Sequence, residues 1–151
     1  MIKNWPDNLA LLLATAWVGS LWTIGYLAAP VLFQMLSNNK QLAGQLAGMM
    51  FVWVAYLGLF CGFYLLIHRI ASYGLQALKQ TFFWTVVTML LLTMAGHFGI
   101  QPILAQLKAQ AFPADVMQSV FADRFWAWHG TASIAYLIES LLGIVLVLKA
   151  R

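Results

Sequence analysis

Four long apolar stretches constrain the fold of this chain more than any other feature. They run from Asn8 to Asn39, Gln41 to Ile67, Gln80 to Leu107 and Phe125 to Leu148, and they contain no Lys, Arg or Asp. Each is longer than the roughly 20 residues that a helix needs to cross the hydrocarbon core of a bilayer. The only formal charge inside them is Glu139. The pattern predicts an all-α membrane protein built as a bundle of four transmembrane helices.

Composition agrees with this class. The chain of 151 residues is 63% hydrophobic and only 8% charged, with a mean hydropathy of +0.83. A soluble domain of this size needs many more charges to cover its surface. We therefore expect one domain over residues 1–151, with spans at about 9–33, 46–67, 82–104 and 126–148 and no appended soluble domain.

The connection between the third and fourth spans is the longest. Phe112 and Pro113 open a segment whose apolar residues recur at helical spacing, and proline is favoured in the first turn of a helix. The residues at that spacing are Val116, Met117, Val120, Phe121 and Arg124. They predict a short amphipathic helix that lies on the membrane surface.

The distribution of Lys and Arg predicts the orientation. The side that holds both termini carries Lys3, Arg69, Lys79, Lys149 and Arg151, whereas the other side carries Lys40, Lys108 and Arg124. The positive-inside tendency places both termini in the cytoplasm. Because the basic residues form no run, we expect contact with membrane lipid and not with nucleic acid. A homo-oligomer or another membrane protein is a possible partner.

Glycines form a stripe on the second span. Gly44 and Gly48 make one Gly-x-x-x-Gly pair, and Gly58 and Gly62 make another. Small residues let helix backbones approach closely in lipid. We expect this stripe to pack inside the bundle, and a homodimer face is the alternative.

Polar side chains inside apolar spans carry a free-energy cost, so each needs an explanation. The third span has Thr93, His97 and Gln101 on one face, and the fourth has His129, Ser133 and Tyr136. These residues suit hydrogen bonding between helices. Two alternatives stay open: His97 and His129 could ligate haem or copper, or the stripes could form a pathway for protons or substrate.

Glu139 lies in the middle of the fourth span. A carboxyl group at that depth should be neutral, or paired with a cation or a coupling ion. Thr85, Thr88 or Tyr56 are possible neighbours for it. If the protein moves protons or ions, Glu139 is the main candidate, with Tyr136, Ser133 and Gln101 along the path.

Enzymatic activity has little support in the sequence. No nucleophile–base pattern, paired carboxylates or phosphate-binding glycine loop is present, so we assign no catalytic residue. No cofactor is expected, with haem or copper as the alternative. The leading hypothesis is a structural or accessory membrane component, with stress or metal handling as its setting. The runners-up are a haem or copper protein and a small proton-coupled transporter.

Several segments also resemble a known family. They are Trp17 to Trp22, Gly25 to Tyr26, Pro30 to Phe33, Gly44 to Phe51, and His129-Gly130 with Tyr136 and Gly143. This pattern is similar to the transmembrane protein 205-like family, and the resemblance implies four helices in an inner or plasma membrane without an established reaction. We expect the bacterial inner membrane. A more distant likeness to copper resistance protein D and to the HemJ-type protoporphyrinogen oxidases implies copper handling or haem.

Overall fold

The computed structural model describes residues 5–112 and 114–150. Within these residues the chain is helical and forms no strand. Four helices are long and apolar enough to cross a membrane: α1 (Trp5–Met35), α2 (Lys40–Lys79), α3 (Thr81–Ala111) and α4 (Ala122–Lys149). Each contains one of the four predicted spans, so the all-α prediction with four membrane-length helices is confirmed.

The ends of α2 follow from local sequence. The side chain of Asn39 accepts a hydrogen bond from the backbone N–H of Leu42 at 3.0 Å and so caps the start of the helix. Its α-helical part continues to Tyr73, past the predicted span, and stops where Gly74 takes a φ of +56°. Glycine enters this left-handed region without steric cost. A 3₁₀ segment, Gly74–Lys79, then leads into α3.

The amphipathic helix predicted between the last two spans is not shown. The described part of this connection holds a three-residue 3₁₀ turn, Val116–Gln118, and Asp115 caps it by accepting from the Met117 N–H at 3.0 Å. Pro113, where the predicted helix begins, lies outside the described residues. Val116 is buried against α3 and α4, so this apolar side chain packs on the bundle instead of facing a bilayer.

The main core joins all four helices in the half of the bundle where α1 begins and α4 ends. Trp17 from α1, Cys61 from α2, Val86 from α3 and Leu146 from α4 are all fully buried in it. In that half each helix therefore packs against its neighbours around a common centre.

The other half of the bundle is organised differently. The described members of a second core come from α3, α4 and their connection: Ile100, Leu104, Leu107, Ala111, Val116 and Phe125. Among the described residues, the backbones of α1 and α4 pack closely mainly within Trp5–Trp22. Farther along, α1 packs on α2, and the Tyr136 ring of α4 still reaches Gly25 and Tyr26. The bundle thus divides into an α1–α2 pair and an α3–α4 pair, and a cleft opens between them.

Candidate functional site

The cleft between the two helix pairs has a volume of about 580 Å³ and mostly apolar walls. It also collects the polar residues that the sequence singled out on two separate helices. Those lining it are His97, Gln101, His129, Ser133, Tyr136 and Glu139. One surface therefore carries every residue predicted for a metal site or for a proton, ion or substrate pathway.

A π-helix shapes the α1 wall of the cleft. It spans Thr23–Ala28, just before Pro30. A proline ring inside an α-helix clashes with the carbonyl four residues earlier, which here belongs to Tyr26. The wider π turn relieves this clash, and the N–H of Ala29 bonds to the carbonyl of Ile24, five residues back. The chain therefore stays helical past Pro30, as far as Met35.

The α3 wall is also shaped by a π-helix that precedes a proline. A second π-helix, Ala95–Ile100, precedes Pro102. The carbonyl that Pro102 would meet in an α-helix is that of Phe98, and the N–H of Gln101 bonds to the carbonyl of Gly96. Both π-helices lie where the two helix pairs separate, and such segments are frequent at functional sites.

Glu139 forms the floor of the cleft. Its side chain is only 5% exposed, and its Oε1 lies 2.6 Å from the Thr93 hydroxyl of α3. Of the possible neighbours named from the sequence, Thr85 and Thr88 instead donate to carbonyls of their own helix, four residues back, and Tyr56 packs against His97. Glu139 pairs with Thr93 because the two residues lie about equally far from the connection that joins α3 to α4.

The hydrogen bonds around Thr93 favour an uncharged carboxyl group. The Thr93 hydroxyl oxygen is 3.0 Å from the carbonyl of Met89 as well as 2.6 Å from Glu139. A hydroxyl has one proton and can donate fully to one acceptor only. If Glu139 carries a proton, it can donate to Thr93 while Thr93 donates to Met89, and both contacts are satisfied. A carboxylate would have to compete with the carbonyl for a single donor.

Two further contacts join α1 to α4 beside this floor. The Tyr136 hydroxyl donates to the carbonyl of Leu21 at 2.6 Å, and the Trp22 indole N–H lies 3.3 Å from the carbonyl of Ser140. Gly25 allows the first contact, because a Cβ there would collide with the Tyr136 ring. The cleft therefore has a closed polar floor, with walls that diverge above it.

The two histidines occupy different surroundings on the walls. His97 lies in the second π-helix against the rings of Tyr56 and Phe98, with centroids 4.9 Å and 4.7 Å away. Its Nδ1 is buried and has no hydrogen-bond partner among the described residues. His129 is more exposed and stacks on Phe125, with centroids 5.7 Å apart. His97 thus offers an unused nitrogen beside the cleft.

A family model described as a domain of unknown function (DUF4149) matches residues 12–113. The match takes in most of α1 and the whole of α2 and α3. This chain belongs to the DUF4149 family. No curated protein and no solved structure matches it.

The DUF4149 chain offers little for a metal ion beyond the two histidines. Among its described residues, no group of three or more His, Cys, Asp or Glu side chains is placed to hold one. The metal-binding part of the sequence interpretation is therefore unsupported. What stands is that His97 and His129 line the same cleft.

The four predicted packing glycines divide into two kinds. A Cβ on Gly58 would come within 2.5 Å of the Trp17 indole, and one on Gly62 within 2.5 Å of Leu90. Gly44 has only ordinary contacts and Gly48 has open space beside it. The second Gly-x-x-x-Gly pair thus packs against α1 and α3 of the same chain.

Sequence reasoning missed the aromatic wall. Tyr26 and Phe51 both pack edge-on to Tyr136, with centroids 6.2 Å and 5.3 Å away, and all three rings line the cleft. It also missed Pro102. The signal was present, because Pro30 and Pro102 both interrupt an apolar span without ending it.

Proposed function

We propose that this DUF4149 protein is an integral membrane protein that binds a small, largely apolar molecule in the cleft between its two helix pairs. The observation that carries the proposal is the cleft itself. Its volume of about 580 Å³ falls within the roughly 300–1,000 Å³ typical of small-molecule pockets. Apolar walls with a few converging polar groups are the usual composition of such a pocket.

Two kinds of residue that are unfavourable inside a membrane helix support a binding role. The helices keep a buried carboxyl group and two prolines inside apolar spans, although each is unfavourable there. Tighter packing of α1 on α4 would bury more surface and needs none of these residues. A binding site explains why the packing is given up in the half of the bundle where these groups face the cleft.

The proposal includes an orientation. With both termini in the cytoplasm of a bacterial inner membrane, the cleft lies in the outer half of the bilayer. The excess of Lys and Arg on the terminal side supports this orientation. The resemblance of the Trp17 to Phe33 segment to the transmembrane protein 205-like family supports the same membrane.

Binding can be tested in lipid nanodiscs with N-phenyl-naphthylamine, an apolar fluorescent probe. We expect a saturable component that empty nanodiscs lack. Ala132→Trp should abolish it, because Ala132 lines the cleft. Ala127→Trp is the matched control, since Ala127 is an exposed residue of the same helix. No saturable component, or equal loss in both variants, would contradict binding and leave the structural or accessory role.

A haem or copper site is a second candidate, supported by the position of both histidines on the cleft. It predicts that the purified protein holds about one iron or copper ion per chain. His97→Ala and His129→Ala should each remove that ion. Metal retained by either variant would overturn the assignment of that residue as a ligand. Neither candidate requires an enzymatic activity.

A further inference from the structure

We propose that the molecule bound in the cleft is a lipophilic organic cation, which takes the place of the proton on Glu139. This inference rests on the proposed binding function and specifies its ligand. The cleft then exchanges one positive charge for another, a proton for an organic cation, at a single carboxyl group.

The charges around the cleft select a cation. Glu139 is the one formally charged residue among the described residues that line it. Lys108, on the outer part of α3, points its ammonium toward the Phe125 ring at 5.7 Å and is not among the residues that line the cleft. A buried carboxylate needs a positive partner, and the cleft supplies none of its own. A cationic ligand would provide it, whereas an anion would be repelled.

The aromatic wall adds affinity for a soft cation. Three rings lie together in the lining of the cleft that also holds Glu139: Tyr26 of α1, Phe51 of α2 and Tyr136 of α4. Aromatic rings attract cations through their quadrupole, most strongly where water is excluded. Their apolar surface also suits the organic body of such a ligand. The site combines one acid with several rings, as recognition of quaternary or delocalised cations requires.

The Thr93 contact accommodates both states of the carboxyl group. In the proton-loaded state Glu139 donates to Thr93, and Thr93 donates to the Met89 carbonyl. In the cation-loaded state the O–H bond of Glu139 breaks, the proton leaves to water, and Thr93 rotates its single proton onto the carboxylate at 2.6 Å. The cleft is electrically neutral in both states, so neither leaves an unpaired charge in the membrane.

Other titratable groups face the cleft and must be separated from Glu139. They are Tyr26 on α1, His97 on α3, and His129 and Tyr136 on α4, while Tyr56 of α2 contacts His97. Protonated histidines would repel a cation in acid, as a protonated Glu139 would. The pH dependence of binding alone therefore does not identify the group, and variants are needed.

The test compares tetraphenylphosphonium with tetraphenylmethane, a neutral molecule of the same shape, in nanodiscs. We expect the cation to bind more tightly to the wild type and to release about one proton per molecule bound in weakly buffered solution. Glu139→Gln should weaken cation binding by about tenfold or more, equivalent to about 1.4 kcal/mol. It should weaken binding of the neutral molecule by a much smaller factor. The double variant His97→Asn with His129→Asn should still release the proton.

The outcomes separate this inference from the binding function on which it rests. Equal affinity for the two molecules, or no proton release by the wild type, overturns the cation assignment but leaves the binding function intact. Loss of proton release in the histidine variant alone assigns the exchange to the histidines and overturns Glu139. If neither molecule binds saturably, both proposals fall. Proton release is measured on the wild type, so the test holds even if Glu139→Gln does not fold.

Discussion

The indole of Trp17 lies so close to Gly58 that a Cβ on residue 58 would come within 2.5 Å of its Nε1. Trp17 is fully buried, and its ring holds α1 against α2 in the main core. An indole is rigid and has no flexible end that could move aside. Residue 58 must therefore be glycine because of a close contact within the chain. A larger residue there should lower the stability of the protein.

Gly58→Ala should destabilise the protein by about 1–3 kcal/mol, the usual cost of overpacking a core. Thermal unfolding in detergent, followed by circular dichroism, measures the change. Gly48→Ala is the matched control on the same stripe, because a Cβ there meets open space. Equal effects of the two substitutions would show that the glycines act through helix propensity or an intermolecular face, and not through Trp17.

Thr93→Val should destabilise the α3–α4 interface by about 1–3 kcal/mol, because it leaves the buried Glu139 carboxyl group without its partner. Thr88→Val provides a control on the same helix. Both threonines bond to a carbonyl four residues back, but Thr88 is exposed and does not reach Glu139. We expect it to change stability by less than about 0.5 kcal/mol. Equal unfolding midpoints for the two variants would show that the contact between Thr93 and Glu139 does not stabilise the fold.

Tyr136→Phe should loosen α1 from α4 at the floor of the cleft. It removes the hydrogen bond to the Leu21 carbonyl and should cost about 1 kcal/mol. Tyr56→Phe, at a half-exposed ring of α2, serves as the comparison. Hydrogen exchange of the α1 amides after Trp22 should rise in the first variant only. Unchanged exchange there would mean that the hydroxyl does not secure the floor.

The sequence predicted the spans and the polar stripes because both depend on local spacing. Four apolar runs set the helices, and residues at spacings of three and four fall on one face of each helix. This was enough to select His97, Gln101 and Glu139 as residues of interest. It was not enough to show that they share one cleft, because that requires the division of the bundle into two pairs.

The contacts that sequence reasoning missed depend on register between helices. Thr93 was placed on the polar face of α3 but was not recognised as the partner of Glu139. Which residues of two helices meet depends on their depth in the bundle, and depth depends on where each helix begins and ends. The predicted spans stopped short of Ala111, where α3 ends. The π-helices were missed because the prediction assumed uniform α-helical spacing along each span, whereas both helices widen just before a proline and continue past it.

Orientation is open to a direct test by cysteine labelling. In a Cys61→Ala background, Asn38→Cys should react with a membrane-impermeant maleimide added outside intact cells. Ser72→Cys should react only after the cells are opened, because it lies at the end of the bundle that holds the termini. Both positions are exposed in the structure. The reverse pattern would place the termini and the basic excess outside.

Pro102→Ala should make the protein more stable and its cleft less able to bind. An interior proline costs an α-helix about 3 kcal/mol, so its removal lets Ala95–Ile100 return to α geometry and gain part of that amount. The return to α geometry removes the extra residue per turn, which rotates His97 and Gln101 relative to the floor at Thr93. Saturable binding of N-phenyl-naphthylamine should fall while the thermal midpoint rises. Pro6→Ala is the control, because a proline in the first turn of α1 displaces no helical hydrogen bond. If Pro102→Ala raises the midpoint and leaves binding intact, the π-helix is only an adjustment to proline and does not shape the site.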